Sequence, residues 1–235
     1  MSFGFSQLPP LEVQFRNDEK KVGKDCTVKI VTPFFASNNP LALLANQEIK
    51  PDFTKDRDEF VKNYLEYVRD PGVRPQAPWE MTVSPTVSLA DSRLVSVVME
   101  HYWYSGGAHP NTRSTMYNYG FVGNQATRLT LDKILNKGVS VEWFMNKVVL
   151  PDLNEIKRKR DMDELDGLDP VLAHNFYLSK GGITFLFSRY DVGAYVEGEY
   201  LVKLPWNRVD KYFDQNKTVN FLFTEPDRLR PTRPR

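Results

Sequence analysis

The sequence predicts an α+β protein in which mixed, mainly antiparallel sheets pack with helices. Three observations point there. Runs that alternate apolar and polar residues in period two recur along the chain, and runs with apolar residues at helical spacing are scattered among them. The two kinds follow no regular strand-helix-strand repeat, and the chain has no internal self-similarity, which argues against a doubly wound parallel sheet.

Residues 11–16 and 25–35 alternate in period two, with Leu11, Val13 and Phe15 on one face and Cys26, Val28 and Ile30 on another, so they read as two strands joined by a charged turn. Asn39-Pro40 caps a helix that carries Leu41, Leu43, Leu44 and Ile49. A second helix follows over residues 54–69, with Phe60, Val61, Tyr64, Leu65 and Val68 on its apolar face and Pro71-Gly72 as its stop. Pro71, Pro75 and Pro78 mark a loop, after which residues 79–88 and 94–104 read as strands turned at Asp91-Ser92. Residues 116–121 should pair back on 94–104 across a long glycine-bearing connection. Thr130 and Ser140 are caps for a short helix over 131–135 and a longer one kinked at Pro151. Residues 176–178, 183–187 and 200–204 complete the strands, and 206–213 reads as a short helix.

At 235 residues the chain is long enough to bury a core without staples. Lys and Arg number 31 against 30 Asp and Glu, a net charge of +1 that gives no bulk attraction to nucleic acid. The single cysteine, Cys26, excludes an internal disulfide and sits where a small buried strand residue belongs. No apolar run approaches the roughly 20 residues of a membrane span, and residues 1–10 lack the basic-then-apolar order of an export signal. The end of the chain, residues 224–235, is basic and proline-rich and reads as a disordered extension.

No cofactor is expected. His101, His109 and His174 are the only histidines, with no short spacing between them, so a zinc site lacks ligands. There is no Gly-x-Ser-x-Gly elbow and no phosphate-cradling glycine motif. Gly106 and Gly107 can turn a strand sharply at positive φ and present the segment through His109 to Asn111 in a fixed shape, for structure or for binding alike. For His109 itself a backbone hydrogen bond is the default over catalysis. Lys157, Arg158, Lys159 and Arg160 abut Asp161, Asp163, Glu164 and Asp166, which reads as a charged connector.

Two separated phrases, Tyr-Ser-Gly-Gly-Ala-His-Pro-Asn over residues 104–111 and Gly-Ile-Thr-Phe-Leu-Phe-Ser-Arg-Tyr-Asp-Val-Gly-Ala-Tyr over 182–195, resemble the RsiV-like extracytoplasmic domain family, as does Leu-Thr-Leu-Asp-Lys-Ile-Leu over 129–135. That family occurs in an anti-sigma factor, beside a deacetylase domain, and in secreted antigens. The resemblance implies two halves, residues 11–99 and 100–223, that form one globule, and it brings no catalytic residues with it. It implies a place outside the cytoplasm, with an export signal removed from the sequence in hand. It also implies a non-enzymatic protein-binding function, whose partner is a lysozyme-like cell-wall hydrolase that is sensed or inhibited; an immunity protein fits the same description.

On this reading the binding candidates are Gly106, Gly107, His109, Asn111, Tyr190, Asp191 and Tyr195. Packing across the neighbouring strands is the default role for the two tyrosines. Glu197-Gly198 departs from the alanine-glycine common in relatives and implies a different rim there. Lysozymes are basic, so a local acidic surface must attract one, and Asp161, Asp163, Glu164, Asp166, Glu197 and Glu199 are the acids available. Two other classes remain open. A cell-wall carbohydrate binder would use Trp79, Trp103, Tyr190 or Tyr195 as stacking surfaces, and a hydrolase would show a deep pocket joining His109 to two acids.

Overall fold

A computed structural model describes residues 8–224. The first sheet has six strands, β1 (Glu12–Val22), β2 (Cys26–Ala36), β3 (Trp79–Asp91), β4 (Leu94–Tyr104), β5 (Asn111–Val122) and β6 (Gln125–Arg128), in that order across it. Neighbours are antiparallel except β2 and β3, which run parallel. A parallel pair needs a long crossover, and α1 (Pro40–Tyr67) supplies it. The charged turn expected after residue 16 is itself strand. β1 continues through Lys20 and Lys21 because it is an edge strand with most of its residues in solvent, where charges cost nothing and discourage pairing with another chain.

The two helices expected over residues 41–69 are one helix of 28 residues. Pro51 lies inside it. A proline there removes one helical hydrogen bond at a cost of about 3 kcal/mol, but Leu41, Ala45 and Ile49 before it and Phe53, Phe60 and Tyr64 after it are all buried in one core with the sheet, which carries the helix through. The expected cap holds. Asn39 Oδ1 accepts from Leu41 N at 2.9 Å, and its Nδ2 donates to Ser92 O at 2.8 Å, so the cap also ties the helix to the β3–β4 turn.

Glu48, Asp52 and Asp56 recur every fourth residue of α1, so they share one face, and each meets a sheet residue. Tyr119 Oη donates to Glu48 at 3.1 Å and Tyr117 Oη to Asp52 at 2.7 Å, while His101 Nδ1 lies 3.7 Å from Asp56. Burial pushes both tyrosine hydroxyls well above their ordinary pKa, so they act here as fixed donors. Burial also lowers the pKa of His101, whose Nε2 is buried without a hydrogen-bond partner among the described residues. Cys26 lies on the same core face as Val28 and Ile30, 1% exposed.

The second sheet is antiparallel, with β7 (Phe176–Ser179), β8 (Gly182–Phe187) and β9 (Tyr200–Pro205) in that order. Only glycine fits at the start of β8, since a Cβ on Gly182 would lie 2.2 Å from Leu204 O. Around this sheet lie α2 (Leu131–Ile134), α3 (Val141–Phe144), α4 (Leu150–Lys159), α5 (Trp206–Val209) and α6 (Phe221–Thr224). At the kink expected near Pro151 one π turn, Met145–Val149, joins α3 to α4, and the proline lies in the first turn of α4. Lys157 is not part of a solvated connector. Its side chain is 2% exposed, with Nζ donating to Val192 O at 2.9 Å and Glu197 Oε2 at 2.7 Å.

The halves form one globule because residues of the first sheet enter the core of the second and because side chains of the first sheet satisfy the backbone of β7. Leu89 and Leu94 sit in the core of the second sheet. A bulge in β3 between Val87 and Leu89 sets Ser88 off the ladder, and its hydroxyl donates to Leu178 O at 2.9 Å. Ser96 Oγ accepts from Leu178 N at 2.9 Å and donates to Asn118 Oδ1 at 2.7 Å, and Asn118 Nδ2 donates to Phe176 O at 2.7 Å. Ser96 and Asn118 are both buried, so every link of this chain replaces water. The basic proline-rich tail lies outside the described residues after Thr224. Among the described residues no helix is long and apolar enough to cross a membrane.

Candidate functional site

β4 and β5 form the expected hairpin, paired from Leu94 with Gly120 to Trp103 with Asn111, so β5 begins five residues before the expected 116. The loop between them carries the glycines. Gly106 has φ +82°, which an L side chain rarely adopts, whereas Gly107 has no positive φ; Tyr104 Oη donates to Gly107 O at 2.9 Å and closes the loop. His109 makes the backbone contact expected of it, Nδ1 lying 3.0 Å from Pro110 O. Its ring stacks on Tyr195 with centroids 4.0 Å apart, which brings the two distant phrases together.

The second phrase makes a turn after β8 that is built around Asp191. Asp191 Oδ2 accepts from Ser188 N at 2.8 Å and Asn175 Nδ2 at 3.0 Å, while Asp191 N donates to Ser188 O at 3.1 Å. Desolvation raises the Asp191 pKa, and these bonds and the charge of Arg113 pull it back part of the way. The turn forces Tyr190 to φ +71°, a conformation that costs a non-glycine residue of order 1 kcal/mol or more and persists only where neighbours impose it. Tyr190 is also 63% exposed. A strained, exposed aromatic ring is costly in a turn that only has to reverse direction.

Four contacts join this turn to the start of β5. Ser114 N donates to Ser188 Oγ at 3.1 Å, Arg189 Nη1 to Thr112 Oγ1, and Tyr195 Oη to Pro110 O at 3.0 Å, and the fourth is the His109–Tyr195 stack. Between them opens a cleft of about 390 Å³, lined on one side by Trp103, Asn111 and Arg113 and on the other by His174, Tyr190, Asp191 and Tyr195. Of the candidates read from the sequence, Asn111, Tyr190, Asp191 and Tyr195 line it. Gly106, Gly107 and His109 do not line it, though His109 stacks on Tyr195, which does. Sequence reasoning missed Arg113, His174 and Arg189. Arg113 was within reach, because it lies two residues along β5 from Asn111 and so on the same face. Nothing local marks His174.

None of the acids at 161–166, 197 or 199 lines the cleft. Glu164 pairs with Arg158 at 2.9 Å, and Asp161, Asp163 and Asp166 are exposed beyond α4. Glu197, expected at the rim, turns inward. Its Oε2 accepts from Lys157 and from Tyr200 Oη at 2.7 Å and its Oε1 from Ala194 N at 2.8 Å, and these bonds hold its pKa down to about 2. Glu199 lends only its backbone, the carbonyl accepting from Arg160 Nη1 at 3.0 Å. Trp79 is buried among Phe60, Tyr64 and Tyr67 and offers no stacking surface. Among the described residues no group of three His, Cys, Asp or Glu side chains is placed to hold a metal ion.

The fold, a six-stranded mixed sheet with a long helix followed by a three-stranded antiparallel sheet, is found in solved proteins. A member of the DUF3298 family from Bacteroides fragilis superposes with a TM-score of 0.62 at 17% identity, covering 91% of this chain and 98% of that one. A DUF3298 protein from Pseudomonas aeruginosa gives 0.62 at 18% identity, covering 89% and 96%. At those identities the likeness is one of fold. Residues 20–112 match the family described as deacetylase PdaC, and residues 131–207 match the protein family of unknown function DUF3298, well over half of the chain together. No curated protein matches. The chain belongs to the RsiV-like family, a PdaC domain followed by a DUF3298 domain. The cleft is therefore shared, with Trp103 and Asn111 from the first domain and Tyr190, Asp191 and Tyr195 from the second.

Proposed function

We propose that this chain is a non-enzymatic binding domain that works outside the cytoplasm, with the cleft between its two sheets as the recognition site. The observation that carries the reading is the convergence of the two family-like phrases, far apart in sequence, on one concave surface that ends in the strained, exposed Tyr190. Tyrosine, tryptophan and arginine are the residues on which binding energy concentrates, and Trp103, Arg113, Arg189, Tyr190 and Tyr195 all stand here. The partner that the family resemblance supports is a lysozyme-like cell-wall hydrolase, sensed or inhibited. Calorimetry with a lysozyme in low salt tests it. Heat at tens of micromolar protein that Tyr190→Ala abolishes is the expected result, and no heat at that concentration, where micromolar binding is worth about 8 kcal/mol, removes this partner.

The word deacetylase belongs to the family matched by residues 20–112, and an acetyl-sugar hydrolysis assay decides whether it extends to this chain. Acetate release that is lost in His174→Ala while the melting temperature holds would overturn the non-enzymatic reading. A second reading, a carbohydrate-binding domain, is favoured by one observation: Trp103, Tyr190 and Tyr195 line a single cleft beside amide, hydroxyl and charged groups. Sugar sites commonly pair aromatic faces with planar polar side chains in this way, because a ring has one apolar face and an edge of hydroxyls.

A further inference from the structure

Five of the eleven arginines among the described residues are neutralised by an ion pair, one of them Arg93 with Asp91. Arg57 pairs with Asp18, Arg128 with Glu48, Arg158 with Glu164 and Arg208 with Asp152. Arg113 and Arg189 differ: both line the cleft, and neither forms an ion pair among the described residues. Arg189 is held in place all the same, by its hydrogen bond to Thr112 Oγ1 and by the face of Tyr195, whose centroid lies 5.0 Å from its guanidinium carbon. A guanidinium has five N–H donors in a planar fork, and the bond to Thr112 uses one of them. Its charge and most of its donors remain for something else, and the position is already fixed.

The acid in the cleft feels the charge of Arg113 but forms no ion pair with either guanidinium. Asp191 Oδ2 takes both of its hydrogen bonds, from Ser188 N and Asn175 Nδ2, which leaves Oδ1 as an acceptor without a hydrogen-bond partner among the described residues. The cleft thus offers two cationic forks, one acceptor, the amide of Asn111 and the exposed ring of Tyr190 within a volume at the small end of ligand sites. We propose that the cleft takes an acidic sugar, with Arg113 and Arg189 as counter-charges to its carboxylate, Asp191 Oδ1 accepting from a hydroxyl, and Tyr190 as the face on which the ring lies. An acidic peptide side chain would use the arginines equally well. It has no ring of hydroxyls for Asn111 and Asp191 and no need of a strained tyrosine, so the lining favours the sugar.

The inference rests on the carbohydrate reading of the cleft, and the experiment separates the two. Methyl β-glucuronide and methyl β-glucoside differ only in the carboxylate, and binding of each to the full chain is followed by protein chemical shifts and by saturation transfer. The expected result is binding of the glucuronide at least about tenfold tighter than that of the glucoside, a difference of about 1.4 kcal/mol, with the shifts centred on residues 111–113 and 188–195. Raising salt should shrink that preference. Arg113→Gln and Arg189→Gln should each remove it, affinity for the glucuronide falling to that for the glucoside, while the melting temperature stays within a few degrees. Equal binding of both sugars would discard the carboxylate site and leave the carbohydrate reading standing. Binding of neither sugar would discard both, and binding of a short acidic peptide in their place would assign the arginines to a protein partner.

Discussion

The two sheets meet along an inner seam at β7 and an outer one at the start of β5, and the two are built differently. At the inner seam Ser88, Ser96 and Asn118 satisfy the edge of β7 atom by atom, and the residues involved are buried or half-buried. At the outer seam the contacts are as numerous, but they ring an open cleft and include exposed groups such as His109 and Tyr190. A saturated polar seam fixes how two bodies sit, because a shift of either leaves buried groups unpaired. An unsaturated one keeps donors and acceptors for a ligand. Orientation comes from the first seam, and recognition is available at the second because the first has already removed the need for it to hold the halves together.

The largest break in that comparison should come from behind the outer seam, where Glu197 braces the turn from residue 192 to 200. Glu197→Ala leaves the Lys157 ammonium buried with only Val192 O, and a buried charge stripped of its partner costs roughly 3 to 5 kcal/mol; denaturant melts of the two proteins measure it. Acid should act on the same group. The Glu197 pKa falls from an ordinary 4.5 to about 2 on folding, so its stabilisation is complete above pH 4.5 and is lost as the pH falls through about 2. Wild-type protein should therefore lose more stability than Glu197→Gln between those two pH values, and parallel losses would remove Glu197 as the cause.

Asn118→Leu tests the inner seam directly. It strands Phe176 O and the Ser96 hydroxyl, for roughly 3 kcal/mol, and should loosen protection of β7 amides in hydrogen exchange before those of β8. Gly106→Val should cost more than about 1 kcal/mol through its φ of +82°. The smallest effect belongs to Tyr195→Phe, which removes one hydrogen bond to Pro110 O and keeps the stack on His109, for about 1 kcal/mol or less. A Tyr195→Phe cost as large as that of Asn118→Leu would mean that the outer seam holds the halves together after all.

Strands were legible where one face is buried and the other wet, as at Cys26, Val28 and Ile30, because period two then appears in the residues themselves. β1 was read only in part, since an edge strand in solvent on both faces carries no such period beyond Phe15. Residues 41–49 and 54–69 read as two helices, and tertiary burial joins them across Pro51, while the π turn ahead of the kink expected at Pro151 cannot be seen in local sequence. The cleft was half legible. Tyr190, Asp191, Tyr195 and Asn111 stood in phrases recognisable as a family pattern, whereas His174 belongs to no phrase and reaches the cleft only through the fold. Glu197 misled for a physical reason, because a charge in a loop reads as exposed until its buried partner, Lys157, forty residues away, is seen.

Cys26 gives the molecule a built-in clock. It is the chain's one thiol, 1% exposed in the core beneath α1, and burial raises its pKa, so a thiol reagent can reach it only when the first sheet or its helix opens. The labelling rate of the native protein then reports how often that half breathes, while the second sheet stays silent. Comparing the rate with and without a cleft ligand would show, from a single chromophore and no engineered cysteine, whether occupying the cleft quiets the core on which Cys26 and Trp103 both pack.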